Sequence, residues 1–324
     1  MDQSIHDIIA TLKNAESVLI VTHIFPDGDA LGSQLALADV LESLGKRVFL
    51  FGEEKVSYIY EFLPRCREIH TTLPKLQDID CVVALDCGDR FRLGKEMDKL
   101  LSVHPFILID HHQGNLLFGD LNWVDANRAS TGEMVFDLSR ALGVDLSYQA
   151  AYCLYTAIVS DTGSFKYSST TADTFHVAGE LISRGVKPSE VAGNLFDNFS
   201  KERLHLMKEV LGTLTLFGEN RIAVIHVTQD MFDKTGASKE DTETFINYPR
   251  SLGSVRVAVF VKETQNGEIA VSLRSKGDDC DVARIAAGFG GGGHRNAAGF
   301  RVREETIDGI RKKLLHELVP AVSS

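Results

Sequence analysis

The sequence predicts an α/β protein in two parts. The first is a parallel sheet with helices on both faces; the second, after a linker helix, is a smaller mixed-sheet α/β domain. Three observations predict this. Continuous apolar runs alternate with amphipathic segments through the first half, the pattern of strands buried on both sides. The second half carries strand-like runs separated mainly by turns. The chain has 324 residues, a length at which two domains are natural.

The elements follow in order. "SVLIVTH" (17–23) reads as a buried strand, and "ALGSQLALADVLESLG" (30–45) as a helix closed by Gly45. "RVFLFG", "CVVALDCGD" and "PFILIDHH" are further strands, rich in Val, Ile, Leu and Phe. Helices are expected at Thr131 to Leu142, Tyr148 to Val159 and Thr171 to Arg184. "FDNFSKERLHLMKEVLGTL" reads as a helix joining two lobes. The expected division is 1–190 for the first domain, 191–215 for the linker helix and 216–324 for the second domain. "RIAVIHV", "SVRVAVFVKE" and "GEIAVSLRS" are strands of the second lobe, with a helical stretch near Lys239 to Phe245. "DVARIAAGFGGGGHRNAAGF" reads as a helix, a glycine run and a strand.

Composition narrows the function classes. A hydrophobic content of 44% suits ordinary globular cores. No apolar run reaches membrane-spanning length, and "MDQSIHDIIATLKN" lacks a basic stretch followed by an apolar core, so neither anchor nor signal peptide is expected. Cys66, Cys81, Cys87, Cys153 and Cys280 are scattered and never form a CxxC pair, which fits a reducing cytoplasm. A net charge of −11 disfavours the wrapping of long duplex nucleic acid but permits a small anion in a local basic pocket or at metals.

Chemistry collects where strands end. His23, Asp27 and Asp29 follow the first strand in "THIFPDGDALGS"; Asp86 follows "CVVAL", with Asp89 nearby. Asp110, His111 and His112 follow "FILI", and Asp161 ends an apolar helix in "YTAIVSDTGSF". In parallel α/β sheets ligands bind outside the carboxyl ends of the strands, so these residues converge on one edge. Carboxylates and imidazoles without cysteine suit Mn²⁺, Mg²⁺, Zn²⁺ or Fe²⁺ and disfavour a structural zinc. Two such ions sharing a carboxylate can stabilise the attacking and leaving oxygens of a phosphoryl displacement. Pro26 stiffens the turn, Gly28 permits a tight backbone between the aspartates, and Asp27 and Asp29 address different ions if the loop is extended. Asp29 also reads as a helix cap, and Asp86 and Asp89 as turn residues.

In the second lobe, "GGGGHRNAAGF" lets backbone approach a ligand, and successive N–H groups can cradle an anion. From Arg256 to Arg303 there are eight Lys/Arg against five Asp/Glu, a local positive excess in an acidic chain. Arg274 and Lys276 follow a strand; arginine's planar fork matches phosphate oxygens.

The set "HIFPDGDALGS", "ALDCGD", "IDHHQGN" and "IVSDTGSF" resembles the four motifs of the DHH phosphoesterase superfamily, and "GGGGHRNAAGF" resembles the signature of its associated C-terminal domain. The resemblance runs from about Ser17 to Arg303 and is nearest to the nanoRNase/pAp phosphatase (NrnA-like) group. It implies two divalent metal ions, Mn²⁺ first, with Mg²⁺ or another divalent ion as alternatives. His23 and Asp27 would hold one, Asp29, His111 and Asp161 the other, and Asp86 would bridge both. His112 would face the substrate phosphate or assist the leaving group, and Asp110 would orient a histidine or buttress the site. The second lobe would bind nucleotide through Arg274, Gly291, Gly292, Gly293 and His294. The implied substrates are short single-stranded RNA and 3′-phosphoadenosine 5′-phosphate, and the implied assembly is a homodimer. Cyclic or linear dinucleotides, pyrophosphate, and a non-catalytic nucleotide-binding role are the competing readings.

Overall fold

The computed structural model describes residues 3–264, 267–277 and 280–323, less a few side chains. The chain divides into two compact units, Met1–Asn198 and Phe199–Ser324.

The first unit contains α1 (Gln3–Asn14), β1 (Ser17–Thr22), α2 (Gly28–Ser43), β2 (Arg47–Phe51), β3 (Ile69–His70), β4 (Cys81–Leu85) and α3 (Met97–Leu101). It continues with β5 (Phe106–Asp110), β6 (Leu121–Val124), α4 (Thr131–Leu142), α5 (Tyr148–Asp161), α6 (Ala172–Ser183) and α7 (Pro188–Phe196). The six strands form one parallel sheet in the order β3-β2-β1-β4-β5-β6. Strand side chains alternate between two cores. Val18, Ile20, Val83 and Ile107 pack with α1, α2, α4 and α5, whereas Leu19, Val21, Val82 and Leu108 pack with Leu93 and Leu100 of the opposite face. That opposite face is covered by α3 and short 3₁₀ turns. The strand order reverses between β1 and β4, the topological switch point at which doubly wound sheets bind ligands.

The second unit contains α8 (Lys201–Leu211), β7 (Thr215–Phe217), β8 (Ile222–Val227), α9 (Gln229–Thr235), α10 (Asn247–Ser251), β9 (Val257–Glu263) and β10 (Ile269–Ser275). It ends with α11 (Val282–Gly288), β11 (Gly292–His294), β12 (Ala297–Val302) and α12 (Ile307–Ser323). Its sheet runs β11-β12-β10-β9-β8-β7; only the β8–β9 pair is parallel among the described strands. α11 and α12 cover one face around Val259, Val271 and Leu273, and Leu206 and Val210 of α8 join Phe245 and Phe260 on the other.

The segment 191–215, expected as one linker helix, holds two helices. α7 lies in the first unit, where Val191 is buried in its core, and α8 lies in the second. Ser200 caps α8 by accepting from the Arg203 amide at 2.9 Å, so the helix starts five residues after the expected Phe196. No helix among the described residues is long and apolar enough to cross a membrane.

Candidate metal centre at the switch point

Four loops and helix ends deliver the site. α2 begins at Gly28, because the Asp27 side chain accepts from the amides of Asp29 and Ala30, both at 3.1 Å. The cap is therefore Asp27, and Asp29 sits in the first helical turn rather than in an extended loop. Gly28 serves close packing: a Cβ there would lie 2.6 Å from Ser160 Oγ. Asp86 leaves β4 with φ of 57°, a left-handed conformation that side chains seldom adopt and that recurs at functional sites. Asp89 accepts from the Phe91 amide at 2.9 Å, as a turn residue does.

The predicted ligands come together. His23, Asp27 and Asp86 form one group able to hold a metal ion; Asp29, His111 and Asp161 form a second; Asp86, His111 and His112 form a third. Within each group one donor atom per residue lies within 4.8 Å of the others. His23 Nε2 is 3.5 Å from Asp86 Oδ2. His111 Nε2 stands 3.6 Å from Asp29, 3.5 Å from Asp86 and 3.4 Å from Asp161. The other ring nitrogen of His111 lies 3.2 Å from the Arg128 carbonyl, so an Nδ1 proton donated there leaves the Nε2 lone pair facing the carboxylates.

Asp29 has no solvent exposure, and its support was not read from the sequence. The backbone amides of Thr131 and Gly132, at the N-terminus of α4, donate to its two oxygens at 2.7 and 2.9 Å, and Ser33 Oγ donates at 3.2 Å. The only sequence trace of this cradle is the cap Ser130 before Thr131. The Thr131 hydroxyl donates to Asp86 at 3.1 Å.

His111 and His112 do different things. The His112 Nδ1–H donates to Asp110 Oδ1 at 2.7 Å, while Asn115 donates to Asp110 Oδ2 at 2.6 Å. Asp110 is buried and belongs to none of the three groups; it orients His112. The two rings meet edge to face at 5.1 Å, just past the last β5 residue. Gly88 leaves room for them: a Cβ there would come 3.1 Å from His112 Cβ.

Electrostatics report a surplus of negative charge. Burial pushes Asp29 well above the ordinary carboxylate range, and Asp86, Asp161 and Asp27 add to it. Burial likewise pushes Asp161 up to about 6, with Asp27 and Asp86 adding to the rise. Burial also opposes the ionisation of Asp86, but His23, His112 and His111 around it prevail and hold its carboxyl well below the usual range. Burial works to lower His112, yet Asp110 and Asp86 prevail and raise it to about 9. Cys87 stands beside Asp86, but its thiol donates to the Asp89 carbonyl at 3.2 Å and burial pushes it up to about 12. The donors facing one another are thus imidazole and carboxylate, the set that suits hard or borderline divalent ions.

In the second unit Arg274 lies inside β10, not after it, and donates to the carbonyl of Leu273 at 3.0 Å. Gly291 and Gly293 answer to their own hairpin. A Cβ at Gly291 would lie 2.2 Å from the Gly299 carbonyl, and one at Gly293, where φ is 140°, 2.4 Å from the Ala297 carbonyl. A Cβ at Gly292 would meet open space. His294 pairs with Ala297 in β11; its side chain lies outside the described residues.

Comparisons with known proteins agree with this architecture. The DHH family N-terminal domain matches residues 17–158, and the DHHA1 domain matches residues 220–319. The chain is 33% identical over 310 residues to the bifunctional oligoribonuclease and PAP phosphatase NrnA of Thermus thermophilus, covering 95% of this chain and 91% of that one. It is 28% identical to the Bacillus subtilis protein of the same name, over 91% of this chain and 92% of that one. An exopolyphosphatase-related protein from Bacteroides fragilis superposes with a TM-score of 0.90 at 28% identity, covering 99% of this chain and 98% of that one. The cluster at the switch point that could hold metal ions, the two matched domains and the near full-length relatives lead to one conclusion: the chain belongs to the DHH family of phosphoesterases.

Proposed function

We propose that the protein is a metal-dependent phosphoesterase that degrades short oligoribonucleotides to nucleoside monophosphates and converts 3′-phosphoadenosine 5′-phosphate to AMP and phosphate. The observation that carries this reading is Asp86. A single buried carboxylate faces His23 on one side and His111 on the other. We assign His23 and Asp27 to one ion, Asp29, His111 and Asp161 to a second, and Asp86 to both, with Mn²⁺ preferred over Mg²⁺ and other divalent ions. The fit rests on the donor types and on the crowded carboxylates, whose burial calls for a compensating cation. Divalent ions held there would neutralise charge on the phosphoryl oxygens and lower the pKa of water from about 16 toward about 7.

The chain's own groups do the rest. Asp110 fixes His112 so that its Nε2 contacts the phosphate or passes a proton to the leaving oxygen. In the second unit we assign substrate binding to Arg274, Gly291, Gly292, Gly293 and His294. Arg274 is close enough to Lys262 to act on its charge, and Gly292 offers exposed backbone without a side chain, which supports an anion-binding surface. We also propose a homodimer and a cytoplasmic location, the latter in keeping with five buried cysteines that form no disulfide among the described residues.

The test is a substrate panel with Mn²⁺: two- and three-residue RNAs, 3′-phosphoadenosine 5′-phosphate, linear and cyclic dinucleotides, and pyrophosphate. Release of mononucleotide from the short RNAs is expected. Hydrolysis of pyrophosphate alone, or of nothing with any divalent ion, would refute the proposal.

A further inference from the structure

The strand register of the second unit gathers cations on one face of its sheet. Val259 and Val261 of β9, Val271 and Leu273 of β10, and Ala298 and Phe300 of β12 pack into the core with α11 and α12. Side chains alternate along a strand, so Lys262, Arg274 and Arg301 stand on the opposite face. Lys262 and Arg301 both pair with Ala270, one from each side, and so form one row across β9, β10 and β12. Arg274 lies four residues further along β10, in the row of Ala297 and His294. Between the rows the floor is small: Ser272 pairs with Gly299, and Gly299 with Gly292. The β8–β9 half of this face is covered by α8, Phe245 and Ile246. On the β10–β12 half, Ala270, Ser272, Arg274, Ala297 and Gly299 are only partly buried, and none of them joins an apolar cluster.

Lys262 sits at the step between the covered and open halves. Its Nζ reaches the Thr242 hydroxyl at 3.5 Å and lies 5.3 Å from the centre of the Phe260 ring. Among the described residues no carboxylate comes within ion-pair distance of it. Burial and the nearby Arg274 lower it to about 8; Arg301 adds to the fall, and Glu243 opposes it. Arg301 itself has Glu268 at 3.8 Å. Converging like charges cost free energy, and an anion lying among them removes that cost.

We propose that Lys262 and Arg301 form a second phosphate subsite on this open face, beside the one assigned to Arg274 and His294. The ligand class is a nucleotide chain bearing a further phosphate, such as a 5′-phosphorylated dinucleotide. The two rows are about 13 Å apart at the backbone, a span that long Lys and Arg side chains shorten. The small residues between them leave room for sugar and base against the strands. A ligand with one phosphate gains nothing from the second row, so the subsite sets a preference among short RNAs. This deepens the phosphoesterase reading and rests on it.

The test measures affinity for 5′-phosphorylated ApA (pApA) and for unphosphorylated ApA by calorimetry, in metal-free protein so that neither is hydrolysed. Wild type should bind pApA more tightly than ApA. Loss of a charged hydrogen bond predicts pApA affinity about tenfold weaker in Lys262→Met and about fivefold weaker in Arg301→Gln, with ApA affinity within about twofold in both. No preference for pApA in wild type, a loss under about threefold in either variant, or an equal loss on ApA overturns the proposal. A second readout needs no variant. At pH 8 the Lys262 ¹³Cε resonance of wild type should move to its charged position with pApA and stay in place with ApA; no movement with pApA refutes the subsite. Neither measurement uses turnover, so failure on the substrate panel would refute the functional reading separately from this one.

Discussion

Replacing Asp110 by asparagine separates orientation from metal binding. Asp110 is fully buried and receives three donors: His112 Nδ1 at 2.7 Å, Asn115 Nδ2 at 2.6 Å and the His112 amide at 3.2 Å. Asparagine keeps the shape but offers a single acceptor atom. If that oxygen serves His112, its NH₂ group faces the amide of Asn115, donor against donor. If it serves Asn115, His112 loses its anchor. Either way one charged hydrogen bond disappears, worth about 1.5–3 kcal/mol. At a factor of ten for each 1.4 kcal/mol, kcat/KM on a dinucleotide RNA should fall about 10- to 150-fold.

The assay is steady-state release of mononucleotide at saturating Mn²⁺, with Mn²⁺ affinity measured alongside. Asp110 belongs to none of the three ligand groups, so Mn²⁺ affinity should hold within about twofold. Full activity would show that His112 needs no anchor. Activity restored by extra Mn²⁺ would show that Asp110 serves the ions instead. Either result refutes the division of labour argued for Asp110, His111 and His112.

Other substitutions test the remaining parts. Asp86→Ala should reduce turnover on every substrate by on the order of 10³-fold, since it removes a member of one acting unit; retention of a tenth of the activity would end its shared role. Arg274→Ala should raise KM for nucleotides about tenfold while sparing a small artificial phosphodiester, and equal losses on both would remove it from substrate binding. Gly32→Ala brings a Cβ to 2.4 Å from the Cys153 carbonyl of α5, so denaturant unfolding should show a loss of about 1–3 kcal/mol; unchanged stability would mean that α2 and α5 shift freely. Burial, with Arg274 and Arg301 nearby, lowers Lys262 to about 8. Its charged form is thus disfavoured in the fold, and this penalty is full below pH 8 and fades as pH rises toward 10.5. Lys262→Met should therefore raise the unfolding midpoint at pH 7 and lose that advantage by pH 10.5; a constant difference would refute the assignment.

The parts of the fold legible in the sequence were those with a side-chain period. β1, β4 and β5 are uniformly buried runs, and α4 and α5 begin where Ser130 and Ser147 cap them. β3 has two residues, and β6 is only half-buried, too short and too mixed to show a period. α12 places Ile310, Leu314, Leu318 and Val322 four apart, a readable stripe, but Pro320 inside it argues against a helix until the structure is seen. The convergence of the candidate ligands was legible because few structural roles demand His and Asp together at several strand ends. The Asp29 cradle was not, because a backbone amide has no residue type. The 3₁₀ turn Arg90–Glu96 brings Arg92 Nη2 to 2.8 Å from His23 Nδ1, a contact between the loops after β1 and β4 that no local window contains.

The cradle fits the proposed metal centre. Helix N-termini stabilise carboxylates, and α4 turns two amides onto Asp29 at hydrogen-bond distance. Such a capped carboxylate would ordinarily sit low in its range. Asp29 nevertheless sits well above it, because burial and the charges of Asp86, Asp161 and Asp27 outweigh the amides. The helix therefore fixes the position of Asp29 without neutralising it. Asp86 resolves the same conflict the other way: three imidazoles hold it ionised despite its burial. Those imidazoles are the ones whose Nε2 or Nδ1 atoms face the carboxylates. Once His23 and His111 offer lone pairs in place of protons, only His112 is left to balance Asp86, and a cation held there would offset Asp29, Asp86 and Asp161. The geometry is rigid and the charge is left open, the combination a metal centre needs if ions are to be held in fixed positions yet remain the dominant local charge.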